Sequence, residues 1–125
     1  MARKKIRMEF VLHASTNLVY PYLSSAGGLS QWFCSDVDTR LDYFTFKWET
    51  DSQKAKVLKK VLNKSIKFQW DGSAQDEYFE FELERDAITD GLALIVTDFT
   101  EEAEEKESRM LWDSQVHDLK SCIGA

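Results

Sequence analysis

The last stretch of the chain, residues 101–125, constrains the fold most. Five of its first seven residues are glutamates, and apolar residues then recur at the three- and four-residue spacings of a helix with one buried face. The apolar residues are Leu111, Trp112, Val116, Leu119 and Ile123. Such a helix measures on the order of 35 Å at about 1.5 Å per residue, which is enough to cross a small domain. Thr100 is the candidate cap, and the glutamates suit the positive end of the helix dipole.

Most of the preceding chain alternates apolar and polar residues, as strands with one buried face do. The alternation predicts strands over residues 5–13, 36–40, 43–49, 54–62, 65–70, 78–84 and 92–99. Residues 54–62 also fit a helical stripe, but the short turns and strong strands around them favour a strand. Cap residues at 15–17 and the break at Gly27-Gly28 predict two short helices after the first strand, the second over residues 29–33.

The alternation collects large aromatic side chains on one face of the predicted sheet, whereas lysine, glutamate, threonine and glutamine dominate the other face. A sheet with one apolar face needs a cover, and the final helix is the only element large enough to provide it. We therefore predict an α+β fold in which a curved antiparallel sheet of about six to seven strands wraps around the long C-terminal helix. The length of 125 residues fits a single domain, residues 1–125.

Composition limits the classes of partner that the chain is expected to bind. The net charge of −6 disfavours nucleic acid and anionic membranes, and no window approaches the apolar length of a membrane span. We interpret the lysines of residues 54–67 as the solvated face and edge of strands. The two cysteines, Cys34 and Cys122, are too few for a disulfide scaffold and favour a reduced, cytoplasmic protein. They are expected near each other only if the end of the long helix passes the two short ones.

Signals of catalysis are weak. His13 and His117 have no metal-ligand spacing around them, and the common nucleophile, phosphate-loop and metalloprotease motifs do not occur. We predict no metal, no cofactor and no catalytic residue. Asp98 is the one polar oddity on an apolar strand: if buried, it would have a raised pKa and could serve as acid or base, and otherwise it would help to cap the terminal helix.

A sheet that grips a helix encloses a space that large side chains can either line or fill. The aromatic content fits a stacking site for a flat ligand, and equally a packed interior. The candidate ligand-binding residues are Trp32, Phe44, Phe46, Trp48, Phe68, Trp70, Phe79, Phe81, Asp98, Trp112 and Val116. Arg40 and Tyr43 are further candidates for fixing the polar end of a ligand.

Several short segments resemble a known family. The segment Gly28-Leu29-Ser30-Gln31-Trp32-Phe33, followed by Asp36-Val37, resembles the second helix of that family at the point where it leads into the second strand. Further matches are residues 44–48, 68–70, 111–112 and 119–120. The chain thereby resembles the START-like, or Bet v 1-like (SRPBCC), superfamily, most closely the branch homologous to the activator of the heat-shock-protein-90 ATPase. The resemblance implies the helix-grip fold, and it carries over no catalytic residue.

Three functions follow as hypotheses. The first is a small START-like domain that binds a hydrophobic or aromatic molecule between sheet and helix, with Asp98 or Arg40 orienting it. The second is a co-chaperone-like or stress-related protein-interaction domain with a filled core. The third is a polyketide-cyclase-like enzyme that uses a buried acid. We expect a hydrophobic small molecule or a protein as the partner, and a monomer or homodimer as the assembly.

Overall fold

The computed structural model describes residues 3–89 and 91–124, and these form seven strands and three α-helices. The strands are β1 Arg3–Leu12, β2 Asp36–Arg40, β3 Tyr43–Lys47, β4 Ser52–Val61, β5 Ser65–Trp70, β6 Phe79–Arg85 and β7 Leu92–Glu101. The helices are α1 Thr16–Ser24, α2 Ala26–Leu29 and α3 Glu105–Ile123. The predicted α+β order, a strand, two short helices, further strands and a long helix, is confirmed.

All seven strands belong to one antiparallel sheet in the order β1-β7-β6-β5-β4-β3-β2. Strands β2 to β7 follow one another through hairpins, and β1 returns to pair with β7 along its whole length, from Arg3 opposite Glu101 to Leu12 opposite Leu92. The inner face carries the predicted aromatic side chains, and α3 packs over it through Trp112, Val116 and Leu119.

The ambiguous segment is a strand. Residues Ser52–Val61 pair with β3 on one side and β5 on the other, because both neighbours offer strand edges that a helix would leave unpaired. The pairing with β5 shifts between Val57 and Lys59, which is a β-bulge. The bulge leaves Leu58, one of the residues of the helical stripe, 45% exposed.

The second short helix differs from its prediction. It covers Ala26–Leu29 and not residues 29–33. The side chain of Ser25 accepts a hydrogen bond from the backbone N–H of Gly28 at 3.0 Å, so the helix is capped and begins three residues earlier. Beyond Leu29 the chain turns, and the backbone N–H groups of Phe33 and Cys34 both approach the carbonyl of Leu29.

The start of the long helix also corrects the prediction. A single 3₁₀ turn, Glu102–Glu104, separates β7 from α3, so Thr100 lies too early to cap the helix. Thr100 is buried in β7, where its hydroxyl lies 2.6 Å from that of Ser108. Leu111 belongs to the predicted buried stripe, but it is 59% exposed because Trp112, Val116 and Leu119 occupy the face toward the sheet.

Candidate functional site

Four candidate residues meet at one end of the sheet, and three of them lie at or near the ends of strands. Alternate strands of an antiparallel meander run in the same direction, so β3, β5 and β7 all finish at that end. Trp48 follows β3, Trp70 is the last residue of β5, and Asp98 lies near the end of β7. Trp112 from α3 reaches the same place. These four residues are called the tryptophan end below.

The ring contacts and hydrogen bonds of the tryptophan end are specific. The ring centroids of Trp48 and Trp70 lie 6.3 Å apart, and that of Trp70 lies 4.8 Å from the ring of Phe79 in a stacked arrangement. The Nε1–H of Trp48 donates to the carbonyl of Phe33 at 3.0 Å. Trp48 and Trp70 are half-buried, so each presents part of a fixed indole ring to solvent.

Asp98 is held by two donors. Its Oδ2 accepts a hydrogen bond from Nε1–H of Trp112 at 2.9 Å, and its Oδ1 accepts one from the backbone N–H of Phe99 at 2.8 Å. Burial raises the pKa of the Asp98 carboxyl above its usual value, and the two hydrogen bonds and the charge of Arg3 oppose that rise. Asp98 therefore does not cap the terminal helix; it ties β7 to a side chain of that helix.

A small cavity of about 140 Å³ opens beside this carboxylate. It is lined by Arg3, Trp70, Ser73, Glu77, Tyr78, Asp98 and Phe99. The guanidinium of Arg3 lies 3.0 Å from Glu77 Oε1 and 3.8 Å from Glu101 Oε1. The hydrogen bond to Glu77 is the main reason why the pKa of Arg3 is raised. The cavity thus combines an indole wall with one carboxylate that is not directly ion-paired to Arg3 among the described residues.

Trp48 also lines a wider, open cleft of about 480 Å³. Phe33, Cys34, Trp48, Asp118 and Cys122 are among its lining residues, so the structure brings both thiols to one cleft. Burial raises the pKa of the Cys34 thiol to about 11, whereas Cys122 is exposed. The end of α3 therefore does pass the turn after α2, and the Sγ of Cys122 lies 3.3 Å from the carbonyl of Gln31.

The other candidate residues form the interior. The side chains of Phe46, Phe68, Phe79 and Phe81 are at most 1% exposed, and the rings of Phe68 and Phe79 stack with centroids 4.9 Å apart. Trp32, Phe44 and Val116 are also buried. These rings contact one another, so a ligand could reach the aromatic cluster from outside at the tryptophan end and, through Trp32 and Phe33, from the open cleft. Ligand contact by the buried members stays a prediction.

Two further candidates lie elsewhere. Arg40 stands opposite Tyr43 in the β2–β3 hairpin, and Lys54 lies over the Tyr43 ring at 4.4 Å on the face that turns away from α3. Of the two residues considered for orienting a ligand, only Asp98 therefore lies beside the aromatic cluster. His13 and His117 are both exposed.

Sequence reasoning missed two contributors to the site. Arg3 reaches the cavity because β1 pairs with β7, and no local pattern indicates a pairing between the two ends of a chain. Phe33 lies in the recognised segment but was not proposed as a site residue. Its ring stacks on that of Trp112, with centroids 5.8 Å apart and planes inclined by 15°. The position of Phe33 directly after Trp32 was the available signal.

The part of the chain that the structure describes contains no group of three or more potential metal ligands. Its helices are also too short or too polar to cross a membrane.

Comparison with known proteins places this geometry in a family. A model described as a START-like superfamily domain matches residues 1–125. BfR322 from Bacteroides fragilis is 32% identical and covers 98% of this chain and 92% of its own, with a TM-score of 0.70. No curated protein sequence matches the chain.

Two more distant structures share the fold. The Aha1 dimer from Colwellia psychrerythraea is 19% identical over 96% of both chains, with a TM-score of 0.79. DynU16, from the dynemicin biosynthetic locus, is 16% identical over 97% of this chain and 47% of its own, with a TM-score of 0.81. At such identities the likeness shows the fold alone. On its sequence match and its helix-grip architecture, the chain belongs to the START-like superfamily.

Proposed function

We propose that this START-like domain binds a small hydrophobic or aromatic molecule at the tryptophan end. The observation that carries the proposal is the Asp98 carboxylate, which lies beside a cavity with an indole wall and is already fixed by Trp112. The lining combines the rings of Trp70 and Phe99 with the charged groups of Arg3, Glu77 and Asp98. In small-molecule sites, apolar walls of this kind provide affinity and the polar groups set orientation.

Size limits the ligand. The cavity of about 140 Å³ is smaller than the roughly 300–1,000 Å³ of most drug-sized sites. It approaches the roughly 150 Å³ that suffices for a single benzene ring in other proteins. We therefore expect a one-ring compound, or the one-ring end of a longer ligand, with a hydrogen-bond donor that faces Asp98.

The first test is native mass spectrometry of freshly purified protein against a denatured sample. A bound adduct that is lost on denaturation supports the proposal and gives the mass of the ligand. The same spectrum reports whether the chain is a monomer or a homodimer. We propose a cytoplasmic monomer or homodimer, and the dimer reported for the Colwellia protein motivates the second possibility.

The second test uses phenol and toluene as probes, because they share a ring and differ in a donor. Indole N–H signals in ¹⁵N spectra report contact with individual tryptophans. We expect phenol to shift the signals of Trp70 and Trp112 and to bind more tightly than toluene. Asp98→Asn should reduce that preference, and Trp70→Ala should weaken the binding of both probes.

Tyr43→Ala provides the matched control, since Tyr43 is a half-buried aromatic residue on the opposite face of the sheet. The Tyr43→Ala variant should bind both probes with the affinity of the wild type. If the probes bind Trp70→Ala and Trp112→Ala as tightly as the wild type, the site is assigned to the wrong residues.

A second candidate function is a protein-interaction domain with a filled core. The ring-on-ring packing of Phe46, Phe68, Phe79 and Phe81 favours it, because this interior is occupied by side chains. A clean mass without an adduct, together with unshifted indole signals, would favour this candidate over ligand binding. A cyclase-like enzyme would require more than binding, namely turnover that Asp98→Asn abolishes while binding remains.

A further inference from the structure

A second surface with distinct chemistry lies on the β4–β5 hairpin. Residues 54–67 contain six lysines and no acidic residue, in a chain whose net charge is −6. The lysines are Lys54, Lys56, Lys59, Lys60, Lys64 and Lys67. This group is called the lysine hairpin below. The surface is independent of the tryptophan end and of any ligand bound there.

Register places a row of these lysines on the face of the sheet that turns away from α3. Lys59 stands opposite Lys67, which stands opposite Glu80. The neighbouring residues of β5 and β6, Ile66 and Phe81, are paired and fully buried on the inner face. Because successive side chains alternate between faces, Lys59 and Lys67 point outward. Lys54 and Lys56, opposite Thr45 and Gln69, extend the row along β4.

Glu80 partly compensates the lysines: the charges of Lys67 and Lys59 oppose the rise that burial causes in the pKa of its carboxyl. Lys59 and Lys67 carry like charges and lie directly opposite each other on adjacent strands, a placement that destabilises a sheet. Among residues 3–89 and 91–124, no carboxylate lies within ion-pair distance of any member of the hairpin. The ammonium groups of Lys54 and Lys67 instead lie over the rings of Tyr43 and Tyr78, at 4.4 and 4.1 Å.

Apolar side chains on the same hairpin are exposed as well. Leu58 at the bulge is 45% exposed, and Leu62 at the turn is 78% exposed. A surface that combines unpaired positive charge with exposed leucines suits a partner that is acidic and partly apolar.

We propose that the lysine hairpin binds an extended, glutamate- or aspartate-rich segment of a partner protein. Side chains two residues apart on β4 are separated by about 7 Å, and an extended peptide repeats its own side chains at the same interval. Acidic residues at alternate positions can therefore face Lys54 and Lys56 together. Because the register shifts at the bulge, Lys59 lies on the same face and extends this row.

The neighbouring strand argues against a flat anionic surface as the partner. Glu80, Glu82 and Glu84 alternate along β6, and Glu80 and Glu82 lie opposite Lys67 and Ser65 of β5. Adjacent strands are only about 4.8 Å apart, so a membrane that lay on the lysines would also meet this row of glutamates. A single acidic segment along β4 avoids the glutamates.

The test uses a labelled peptide of alternating glutamate and serine, with fluorescence anisotropy at low and high salt. We expect binding that weakens as salt is added. The double variant Lys56→Gln/Lys59→Gln should weaken binding by about three- to tenfold, the scale expected for the loss of two exposed charge pairs. Lys106→Gln/Lys120→Gln on α3 makes the same change in net charge and should leave binding unaffected.

Urea denaturation of the same variants shows whether a loss of peptide binding comes from a loss of folding. Lys59→Gln relieves the repulsion with Lys67 and removes an attraction to Glu80, so the two effects oppose each other. The hairpin double variant should therefore unfold at nearly the same urea concentration as the wild type, while peptide binding falls. Equal binding by the two double variants would overturn the proposal, as would absence of binding to the peptide. Tighter binding to phosphatidylserine vesicles or to oligothymidylate than to the peptide would overturn it in favour of a membrane or nucleic acid.

Discussion

Trp112 on the long helix donates its indole N–H to Asp98 near the end of the last strand, with 2.9 Å between Nε1 and Oδ2. Trp112 is buried and Asp98 is half-buried, so the bond is shielded from much of the solvent. It joins the helix to the sheet by a directional contact, as does the contact between the hydroxyls of Thr100 and Ser108.

The first prediction concerns this bond. Trp112→Phe keeps an aromatic ring but removes the donor, so the half-buried carboxylate loses one of its partners. We expect the free energy of unfolding to fall by about 1–3 kcal/mol. Urea denaturation measures the change. A double-mutant cycle with Asp98→Ala should give a coupling energy, and independent effects of the two substitutions would show that the bond adds nothing.

The second prediction concerns pH. Burial raises the pKa of Asp98 above its unfolded value of 3.8, so the folded state binds the proton more tightly than the unfolded state does. Stability from this group is therefore present at low pH and is lost as pH rises from 3.8 through the raised folded pKa. Relative to the wild type, Asp98→Asn should gain stability across that window and hold a constant difference above it. A difference that instead grows as pH falls would mean that Trp112 and Arg3 outweigh burial.

The third prediction concerns the two thiols of the open cleft. A pKa of about 11, against an ordinary value of 9.0, reduces the thiolate fraction of Cys34 at neutral pH roughly a hundredfold. Ellman's reagent should therefore modify exposed Cys122 quickly and Cys34 very slowly. Cys34→Ser and Cys122→Ser identify the two phases, and denaturation should make both thiols react alike. Equal rates in the folded protein would contradict the burial of Cys34.

The fourth prediction compares two adjacent glycines. A Cβ on Gly28 would lie 2.1 Å from the carbonyl oxygen of Pro21 and 2.5 Å from the Cα of Tyr22, and both of these are backbone atoms. Gly28→Ala should therefore destabilise the protein by about 3 kcal/mol or more, because α1 and α2 must separate. A Cβ on Gly27 meets nothing within 4 Å, so Gly27→Ala should be neutral or stabilise by about 0.4–1 kcal/mol. Thermal unfolding of the two variants distinguishes these outcomes.

Sequence patterns predicted what depends on neighbours along the chain. The alternation at Phe44, Phe46 and Trp48 sufficed for β3, and Trp112, Val116 and Leu119 sufficed for the buried face of α3. The same patterns failed at two helix boundaries, although the contacts there are local. Ser25 caps the helix before Leu29 through the backbone of Gly28, where the sequence was interpreted as a break, and a 3₁₀ turn separates Thr100 from α3.

The structure brings together only part of the predicted set of candidate site residues, and ligand binding by any of them stays a prediction. Trp70, Asp98 and Trp112 meet as a group, but the predicted set also included Phe68 and Phe81, which face other rings in the interior. Alternation tells which face of a strand is apolar, and it does not tell how far along the strand the interior ends. That depends on the lengths of paired strands and on where α3 crosses them.

The pairing of β1 with β7 has a consequence for the order of folding. The hairpins of β2 to β7 connect strands that are neighbours in sequence, so they can form one after another. The pairing of β1 with β7 joins Leu12 to Leu92 and Arg3 to Glu101, so it can form only when both ends of the chain are present. Contacts between distant residues carry the largest loop-closure cost and form late. A nascent chain on the ribosome therefore holds its first strand unpaired until the last strand has emerged, and pulsed hydrogen exchange during refolding should show the amides of β1 among the last to gain protection.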